Sequence, residues 1–136
     1  MVSLVERNGE KRSVVVPNVN AKTLRSVLEA NVSKSAHLMT DEHAGYTKVG
    51  REFASHGVTR HSRGEYAIGQ IHSNTAEASF SLLKRGLVGT FHHVGEQHLQ
   101  RYVTEFDFRW NHRKTSDRER GDILLASISG KRLKYN

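Results

Sequence analysis

Two runs of β-branched residues open the chain and predict a hairpin. They cover residues 2–7 and 12–16 and flank Asn8-Gly9. That pair is typical of a type I′ turn, in which both central residues need positive φ. Pro17 ends the second run, because proline has no backbone N–H to donate to a strand ladder.

The period of the apolar positions then changes from two residues to 3.6 and predicts a helix. Leu24, Val27 and Leu28 fall on one face of this helix, which is expected to continue to about Ala30. Asn20 is placed to cap it, because a side-chain oxygen there can accept a bond from the first turn.

A short apolar run, residues 36–40, predicts a buried strand that ends at Asp41. Carboxylates at strand ends are common functional groups in open α/β sheets. On the plainer interpretation Asp41 is a turn residue or a cap. The following stretch is expected to hold a short helix within 42–53, a strand at 57–61 and a polar loop through residue 70.

The second half of the chain is predicted to be mostly helical. Asn74 or Thr75 would cap a helix that reaches Gly86, and Gly86–Gly89 would mark a break. The next helix is expected at residues 96–113. Its core stripe comprises Leu99, Tyr102, Val103, Phe106 and Trp110. A last helix would follow the capping sequence 115–117 and end near Gly130.

Composition favours an anionic partner. The 136 residues carry 21 Lys+Arg against 14 Asp+Glu, a net charge of +7, and nucleic acid is a common partner of a basic protein. The length suits one domain over residues 1–136. The absence of cysteine excludes disulfides and thiolate metal sites. With no long apolar run and no leader pattern, a cytoplasmic, nucleoid-associated protein is expected.

The helix after residue 74 carries a carboxylate and an ammonium group on one face. Glu77 and Lys84 lie seven residues apart, beside the apolar stripe of that helix. Their separation is too large for a direct i,i+4 ion pair. A divalent metal at Glu77 and a phosphate at Lys84 would fit the spacing. A solvated charged face is the alternative.

Several short motifs, in order along nearly the whole chain, resemble the C-terminal half of insertion-sequence transposases of the DDE type. The resemblance is to an ISXO-like subgroup with a ribonuclease-H-like fold. The matching segments are residues 40–43 (TDEH), 64–66 (GEY), 72–77 (HSNTAE), 84–86 (KRG), 92–94 (HHV), 98–102 (HLQRY), 105–111 (EFDFRWN) and 130–133 (GKRL).

This resemblance implies a mixed α/β fold and DNA strand cleavage and transfer with two Mg²⁺ or Mn²⁺ ions. It implies that Asp41 and Glu77 are the second and third acids of the triad and the metal ligands. Lys84 would hold a DNA phosphate near the metals. Asn74 matches a loop asparagine at the DNA site, and His72 matches a loop histidine that either contacts substrate or packs.

Further cations are candidate phosphate contacts, which position DNA without reading its sequence. They are Arg85, Arg101, Arg109, Arg113, Lys114 and Lys131. Ordinary surface cations are the alternative, and Arg101, Glu105 and Arg109 also form an i,i+4 ladder.

Three histidines suggest a second kind of site. His92, His93 and His98 resemble zinc ligands, but their spacings do not align on one helix face. Roles in facing DNA or in packing are therefore favoured.

The chain departs from the family pattern at its start. The family's first catalytic aspartate lies on a central strand that would precede the hairpin, and no aspartate occurs before position 41. The family's N-terminal DNA-binding region has no counterpart either. The expected fold is a truncated ribonuclease-H-like domain. Either the hairpin closes onto the 36–40 strand, or the monomer is marginal, or the true start lies upstream.

Two functions follow as hypotheses. The first is transposase-type strand cleavage and transfer, expected to be inactive in this chain because the first acid is missing. The second is a non-catalytic basic module that binds DNA or a full-length transposase, alone or as a homo-oligomer. A nuclease or resolvase on the same fold is a weaker third interpretation.

Overall fold

The computed structural model describes residues 1–59, 67–68, 71–72 and 74–130. Within these ranges, six short strands and five α-helices follow one another in a mixed α/β order. The strands are β1 (Val2–Val5), β2 (Lys11–Val14), β3 (His37–Thr40), β4 (Ser55–Val58), β5 (Ala67–Ile68) and β6 (Ile71–His72). The helices are α1 (Ala21–Asn31), α2 (Tyr46–Val49), α3 (Asn74–Gly86), α4 (Leu99–Asn111) and α5 (Asp117–Ile128).

The predicted hairpin is confirmed, but its turn is not of type I′. Strands β1 and β2 pair antiparallel, with Val5 opposite Lys11. Asn8 has φ 60°, whereas Gly9 does not take positive φ, and the turn closes through Gly9 N–H to the Glu6 carbonyl at 3.1 Å. A Cβ at Gly9 would collide with the Glu6 side chain. Because Glu6 is exposed and flexible, it can move away from such a Cβ, so neither φ nor packing makes glycine obligatory at this position.

Helix α1 follows the sequence prediction closely. The Asn20 side chain accepts from Thr23 N–H at 2.9 Å, and Leu24, Val27 and Leu28 are buried. Such a cap stabilises a helix by about 1 kcal/mol. Burying each leucine contributes about 1.5–3 kcal/mol more, so packing dominates the stability of α1.

One helix face reaches two neighbouring hydrophobic clusters. Leu24 and Val27 pack with Val2 of the hairpin. Leu28 packs with Val49 and Phe53, beyond β3. Helix α1 therefore joins the hairpin to the part of the fold that carries Asp41.

Strands β3 and β4 form a parallel pair, with Thr40 opposite Val58. Among the described residues, β1–β2, β3–β4 and β5–β6 are three separate two-stranded sheets. The expectation that the hairpin closes onto the 36–40 strand is therefore wrong. Leu4 and Leu38 instead pack against the same cluster, so side chains connect the two sheets.

The predicted loop before residue 70 is partly wrong. Ala67–Ile68 pairs antiparallel with Ile71–His72. Two-residue strands are too short for an apolar/polar alternation, so no periodic pattern marks them in the sequence. Strand β4 is confirmed but begins earlier than predicted, at Ser55, and its predicted end at residue 61 lies outside the described residues.

Two predictions about α3 need correction. The helix includes both Asn74 and Thr75, so neither residue precedes it as the predicted cap. The predicted break at Gly86–Gly89 is also wrong, because a π-helical turn, Leu87–Phe91, continues directly from α3. A Cβ at Gly86 would enter the ring of Phe106 on α4. Gly86 therefore serves the packing of α3 against α4.

Helix α4 is shorter than predicted and follows a 3₁₀ turn, Glu96–His98. Val103 and Phe106 of its apolar stripe are buried with Leu83 of α3. The Trp110 indole N–H is buried without a hydrogen-bond partner in the described part of the chain.

A polar stripe on α4 closes the outer edge of β2. The Asn111 side chain accepts from Lys11 N–H at 2.7 Å and donates to the Lys11 carbonyl at 2.9 Å. Asp107 accepts from Ser13 N–H at 2.5 Å. Gln100 accepts from Val15 N–H at 2.7 Å and donates to the Ser13 carbonyl at 3.1 Å. Side chains thus satisfy the backbone groups that an edge strand leaves unpaired.

Asp107 also lies in a buried ion pair. Its carboxylate is 3.3 Å from Lys11 Nζ, and the Lys11 side chain is 3% exposed. The Ser13 hydroxyl donates at 2.8 Å to Oδ1, the same carboxylate oxygen that faces Lys11. This network holds the hairpin against α4.

Helix α5 confirms its predicted cap and end. Ser116 and Glu119 form a capping box, and Gly130 has φ 75°. Within Asp117–Ile128 no side chain is buried, and Leu125 is 65% exposed. No helix in the described ranges is long and apolar enough to cross a membrane.

Candidate functional site

The carboxyl end of β3 is held in place by two threonines and a histidine. Thr59 N–H donates to the Thr40 carbonyl at 2.9 Å, which extends the β3–β4 pairing by one bond. The Thr40 hydroxyl donates to the Asp41 carbonyl at 2.9 Å and lies 2.8 Å from His56 Nε2. Because a hydroxyl has one proton to give, Nε2 of His56 is the donor in the second bond. Asp41 therefore follows directly from a rigid strand end.

The Asp41 side chain is exposed and close to the backbone that follows it. Its Oδ1 accepts from His43 N–H at 3.2 Å, the contact of an Asx turn. Within the described residues Asp41 makes no salt bridge. Its position at the carboxyl end of a parallel strand pair agrees with the sequence prediction, and the turn role named as the plainer interpretation is also present.

A cavity of about 660 Å³ opens beside Asp41. Its walls include the side chains of His43, Tyr46, Arg51, Phe53 and His56. His43 and Tyr46 meet edge to face, with ring centroids 6.0 Å apart. A Cβ at Gly50 would enter the His56 ring, so this glycine leaves the space that the imidazole occupies.

Burial sets the protonation of two cavity groups. It raises the pKa of the Tyr46 hydroxyl above its ordinary value, and the charge of Asp41 raises it further. It lowers the pKa of His56 below the ordinary value of 6.5. Near neutral pH the cavity therefore presents a phenol that donates a hydrogen bond and an uncharged imidazole.

Helix α3 places the other predicted catalytic residues. Glu77 is exposed in its first turn, and Lys84 and Arg85 are exposed in its last turn. Asn74 is the first residue of α3 and His72 ends β6. The side chains of these two residues lie outside the described part of the structure.

The predicted arginine contacts divide into two groups. Arg85 and Arg101 are exposed. Arg109 is engaged by Glu105, with Nε 3.0 Å from the carboxylate, which confirms that pair of the predicted ladder. Arg113 lies 4.6 Å from the centroid of the Trp110 ring and donates to the Trp110 carbonyl. The predicted Lys131 lies outside the described residues.

The histidines at 92, 93 and 98 do not form a metal site. Within the described ranges no group of three or more His, Cys, Asp or Glu side chains has the arrangement of a metal site, so the zinc interpretation is not supported. His92 has φ 56° and ψ −40°, and His93 N–H donates back to the Phe91 carbonyl at 2.6 Å. This is a γ-turn with positive φ, a rare and strained form.

The donor chemistry at Asp41 suits a hard divalent cation only in part. An exposed carboxylate without an ion-pair partner is the ligand type that Mg²⁺ prefers, and Mg²⁺ often uses one or two carboxylates and several waters. The described residues do not, however, assemble three such groups in one place.

The match to a known family decides the class of protein. A family model described as the ISXO2-like transposase domain matches residues 1–111. The chain belongs to this transposase family. Family membership associates it with insertion sequences, with DNA transposition in general and with DNA as the partner. No curated protein and no solved structure shows significant similarity to the chain.

Some of the residues that line the cavity beside Asp41 were not singled out from the sequence of this transposase domain. Tyr46, Arg51 and His56 line the cavity beside Asp41, yet none of them lies in a motif that the resemblance used. The only signal was a group of aromatic and basic residues within fifteen positions of Asp41. The pairing of β3 with β4 places His56 beside the strand end that leads to Asp41, and sequence spacing alone does not show that pairing.

Proposed function

We propose that this transposase domain carries two of the three metal-binding acids of a site for cutting and joining DNA ends by metal-assisted phosphoryl transfer, and that the chain by itself has little or no strand-transfer activity. The observation that carries the proposal is the exposed Asp41 carboxylate, which follows the end of parallel strand β3 beside an open cavity in a chain matched to a transposase family. Ligands in open α/β sheets bind at the carboxyl ends of strands.

Three side chains would do the work at this site. The Asp41 and Glu77 carboxylates would hold Mg²⁺ or Mn²⁺, and Lys84 would hold a DNA phosphate. When bound, such ions activate the attacking oxygen and stabilise the leaving one. Glu77 and Lys84 project from the same exposed face of α3, two turns apart. The strand end and the helix face would then grip the same DNA strand from two sides.

We also propose a ribonuclease-H-like arrangement for the fold. An antiparallel hairpin, then a helix, then a parallel strand ending in an acid supports it. DNA would lie across the basic face of α3, with Asn74 at its start and Arg85 and Arg101 as additional phosphate contacts. Arg109 and Arg113, each engaged within α4 or the turn after it, would contribute less.

Metal binding is tested by thermal unfolding with increasing Mg²⁺ or Mn²⁺. Binding to the folded chain alone raises the melting temperature with ion concentration. We expect this rise in the unchanged chain and a smaller one in Asp41→Ala and Glu77→Ala. Asp122→Ala is the matched control, because Asp122 is an exposed acid on α5. An equal rise in all four proteins would refute the ligand assignment.

Catalysis is tested by a cleavage and joining assay on DNA that carries element ends. We expect little or no strand transfer, because two acids of this chain match a site that uses three. Robust activity with Mg²⁺ would show that the missing-acid argument is wrong. Loss of that activity in Asp41→Ala would still support the site.

A second candidate is a non-catalytic basic module that binds DNA or a full-length transposase. It is favoured by one observation, that the described residues form no three-ligand metal group. It predicts salt-sensitive DNA binding that is unchanged in the double variant Asp41→Ala/Glu77→Ala. Under the first proposal the same double variant loses every effect of the metal on binding.

A further inference from the structure

The cavity beside Asp41 has the size and position of a ligand site. Its volume of about 660 Å³ falls within the range of about 300–1,000 Å³ typical of small-molecule sites. It is bounded by the end of β3, by α2 and by β4. A group held at Asp41 would therefore lie at the mouth of this space.

The walls are suited to a flat aromatic ligand. Four ring-bearing side chains border the cavity, each from a different segment of the chain. They are His43, Tyr46, Phe53 and His56. Phe53 is buried and Lys34 lies over its ring, so the exposed His43 and the half-buried Tyr46 and His56 are the rings available to a ligand. Ring faces stack on nucleobases irrespective of their sequence. The Tyr46 hydroxyl adds a polar atom that can bind a base edge.

The charges around the cavity suit one nucleotide of a strand. Arg51 is exposed on the wall that follows α2. A guanidinium group binds phosphate in a bidentate manner, and the Tyr46 hydroxyl can bond to the edge of a base. A nucleotide with its phosphate near Arg51 and its base inside the cavity would use both groups.

We propose that this cavity receives one unstacked base of the DNA strand whose backbone lies at Asp41. The inference rests on the proposed function, since it takes the presence of DNA at Asp41 from there. It goes further in assigning Tyr46, His43 and Arg51 as residues that position the strand and favour a site where one base leaves the stack. Enzymes that extrude a base hold it in this way, by stacking and by bonds to its edge.

The test compares intact DNA with DNA that lacks one base. Fluorescence anisotropy measures the affinity of the whole chain for single-stranded oligonucleotides that carry one abasic site, moved along the strand in a series. We expect one position at which the abasic site weakens binding roughly tenfold, since one stacked base is worth about that much.

The adjacent substitutions Thr47→Trp and Lys48→Trp make a matched pair. Both residues are exposed on α2, but only Thr47 borders the cavity. Thr47→Trp fills the space, so intact and abasic DNA are expected to bind it equally. Lys48→Trp keeps the tenfold difference. A second pair, His43→Ala and the control His37→Ala, removes a cavity ring without adding bulk.

The outcomes separate this inference from the proposed function. If the unchanged chain binds no DNA, both are overturned. If it binds DNA but no abasic position matters, the base-binding inference alone fails. It also fails if the abasic effect persists unchanged in Thr47→Trp and His43→Ala. Loss of the effect in these two variants, with both controls intact, supports it.

Discussion

Asp107 shows how one side chain can support both charge and backbone. It pairs with the buried Lys11 ammonium and accepts bonds from the Ser13 amide and hydroxyl. Asp107→Ala would leave a buried lysine without its counter-charge. We expect a loss of about 3–5 kcal/mol in the free energy of unfolding, measured by urea denaturation with the single tryptophan as probe.

A control and a double variant sharpen this prediction. Asp122→Ala, an exposed acid on α5, should change stability by no more than about 0.5 kcal/mol. Lys11→Met combined with Asp107→Leu removes both charges and should recover part of the loss. If the double variant were as unstable as the sum of the single ones, the ion pair would not be the cause.

His56 gives a prediction for pH. Burial lowers its pKa below the ordinary value of 6.5, so near that pH the unfolded chain binds a proton that the folded chain does not. The stability that neutral His56 contributes is therefore present above about pH 6.5 and is lost as the pH falls through the folded pKa.

The measurement is urea denaturation at pH 7.5 and at pH 5.5. His56→Gln, which keeps a donor for the Thr40 hydroxyl, should lose less stability on acidification than the unchanged chain. His98→Gln, at an exposed position, should follow the unchanged chain. Parallel pH profiles for all three proteins would contradict the assignment.

Some single residues were predictable and others were not. Asn20 was recognised as a cap because capping is local and its partner lies three residues away. Asp107 was not singled out, because its partners lie 94 and 96 positions earlier in the chain. Gln100, Asp107 and Asn111 do follow a helical period of i, i+7 and i+11. That polar stripe was visible in the sequence, but its role in sealing β2 was not.

Among the elements, the packing of α3 against α4 depends on Gly86, because a glycine has no side chain to separate the two helices. Gly86→Ala would drive a methyl group into the Phe106 ring. We expect a loss of about 1–3 kcal/mol in unfolding free energy, the usual effect of overpacking. Gly89→Ala is the matched control three residues later, with open space around its Cβ. It should stabilise the protein by up to about 1 kcal/mol.

Thermal or urea denaturation of both glycine variants checks this prediction. Equal stability of Gly86→Ala and Gly89→Ala would mean that α3 and α4 can separate without cost. The sequence predicted a break at these glycines because glycine usually interrupts helices. At Gly86 the chain stays helical instead, and this glycine packs against Phe106 of α4. That role is visible only when both helices are seen together.

Elements with long, regular patterns were predicted well, and short ones were not. The stripe of α1 covers little more than one turn and that of α4 about three turns, and both are confirmed by buried residues such as Leu24 and Val103. The two-residue strands β5 and β6 were predicted to be loop. The hairpin turn was misjudged because Asn-Gly favours positive φ at both residues, whereas only Asn8 adopts it in the structure.

At the scale of the whole molecule, the net charge of +7 makes a prediction about salt. We expect the affinity for duplex DNA to fall steeply between about 50 and 200 mM salt. The slope of log affinity against log salt should decrease by about one unit in Lys84→Ala and in Arg85→Ala. Arg109→Ala should change it less, because Glu105 already neutralises that side chain.

Fluorescence anisotropy at four salt concentrations would measure these slopes. Equal slopes for Arg85→Ala and Arg109→Ala would place the DNA away from the end of α3. A slope near zero for the unchanged chain would leave the positive charge without a nucleic-acid role.

The candidate site was only partly predictable from the sequence. Asp41 was found because an apolar run leads directly to it, and the strand end is where the structure has it. Glu77 and Lys84 were placed correctly on one helix face. The distance between the Asp41 strand end and the Glu77 face of α3 depends on how elements that are far apart in the sequence pack. No local sequence pattern encodes that distance.

The sealed edge of β2 has a consequence for how copies of this molecule meet. Main-chain groups along that edge already have partners in Gln100, Asp107 and Asn111. A strand from another molecule therefore has no unpaired backbone groups to bond to at β2, and it could extend the hairpin sheet only at β1. A filament that grows by adding strands to the hairpin sheet would therefore be blocked on the β2 side, which disfavours aggregation through this sheet in a concentrated solution.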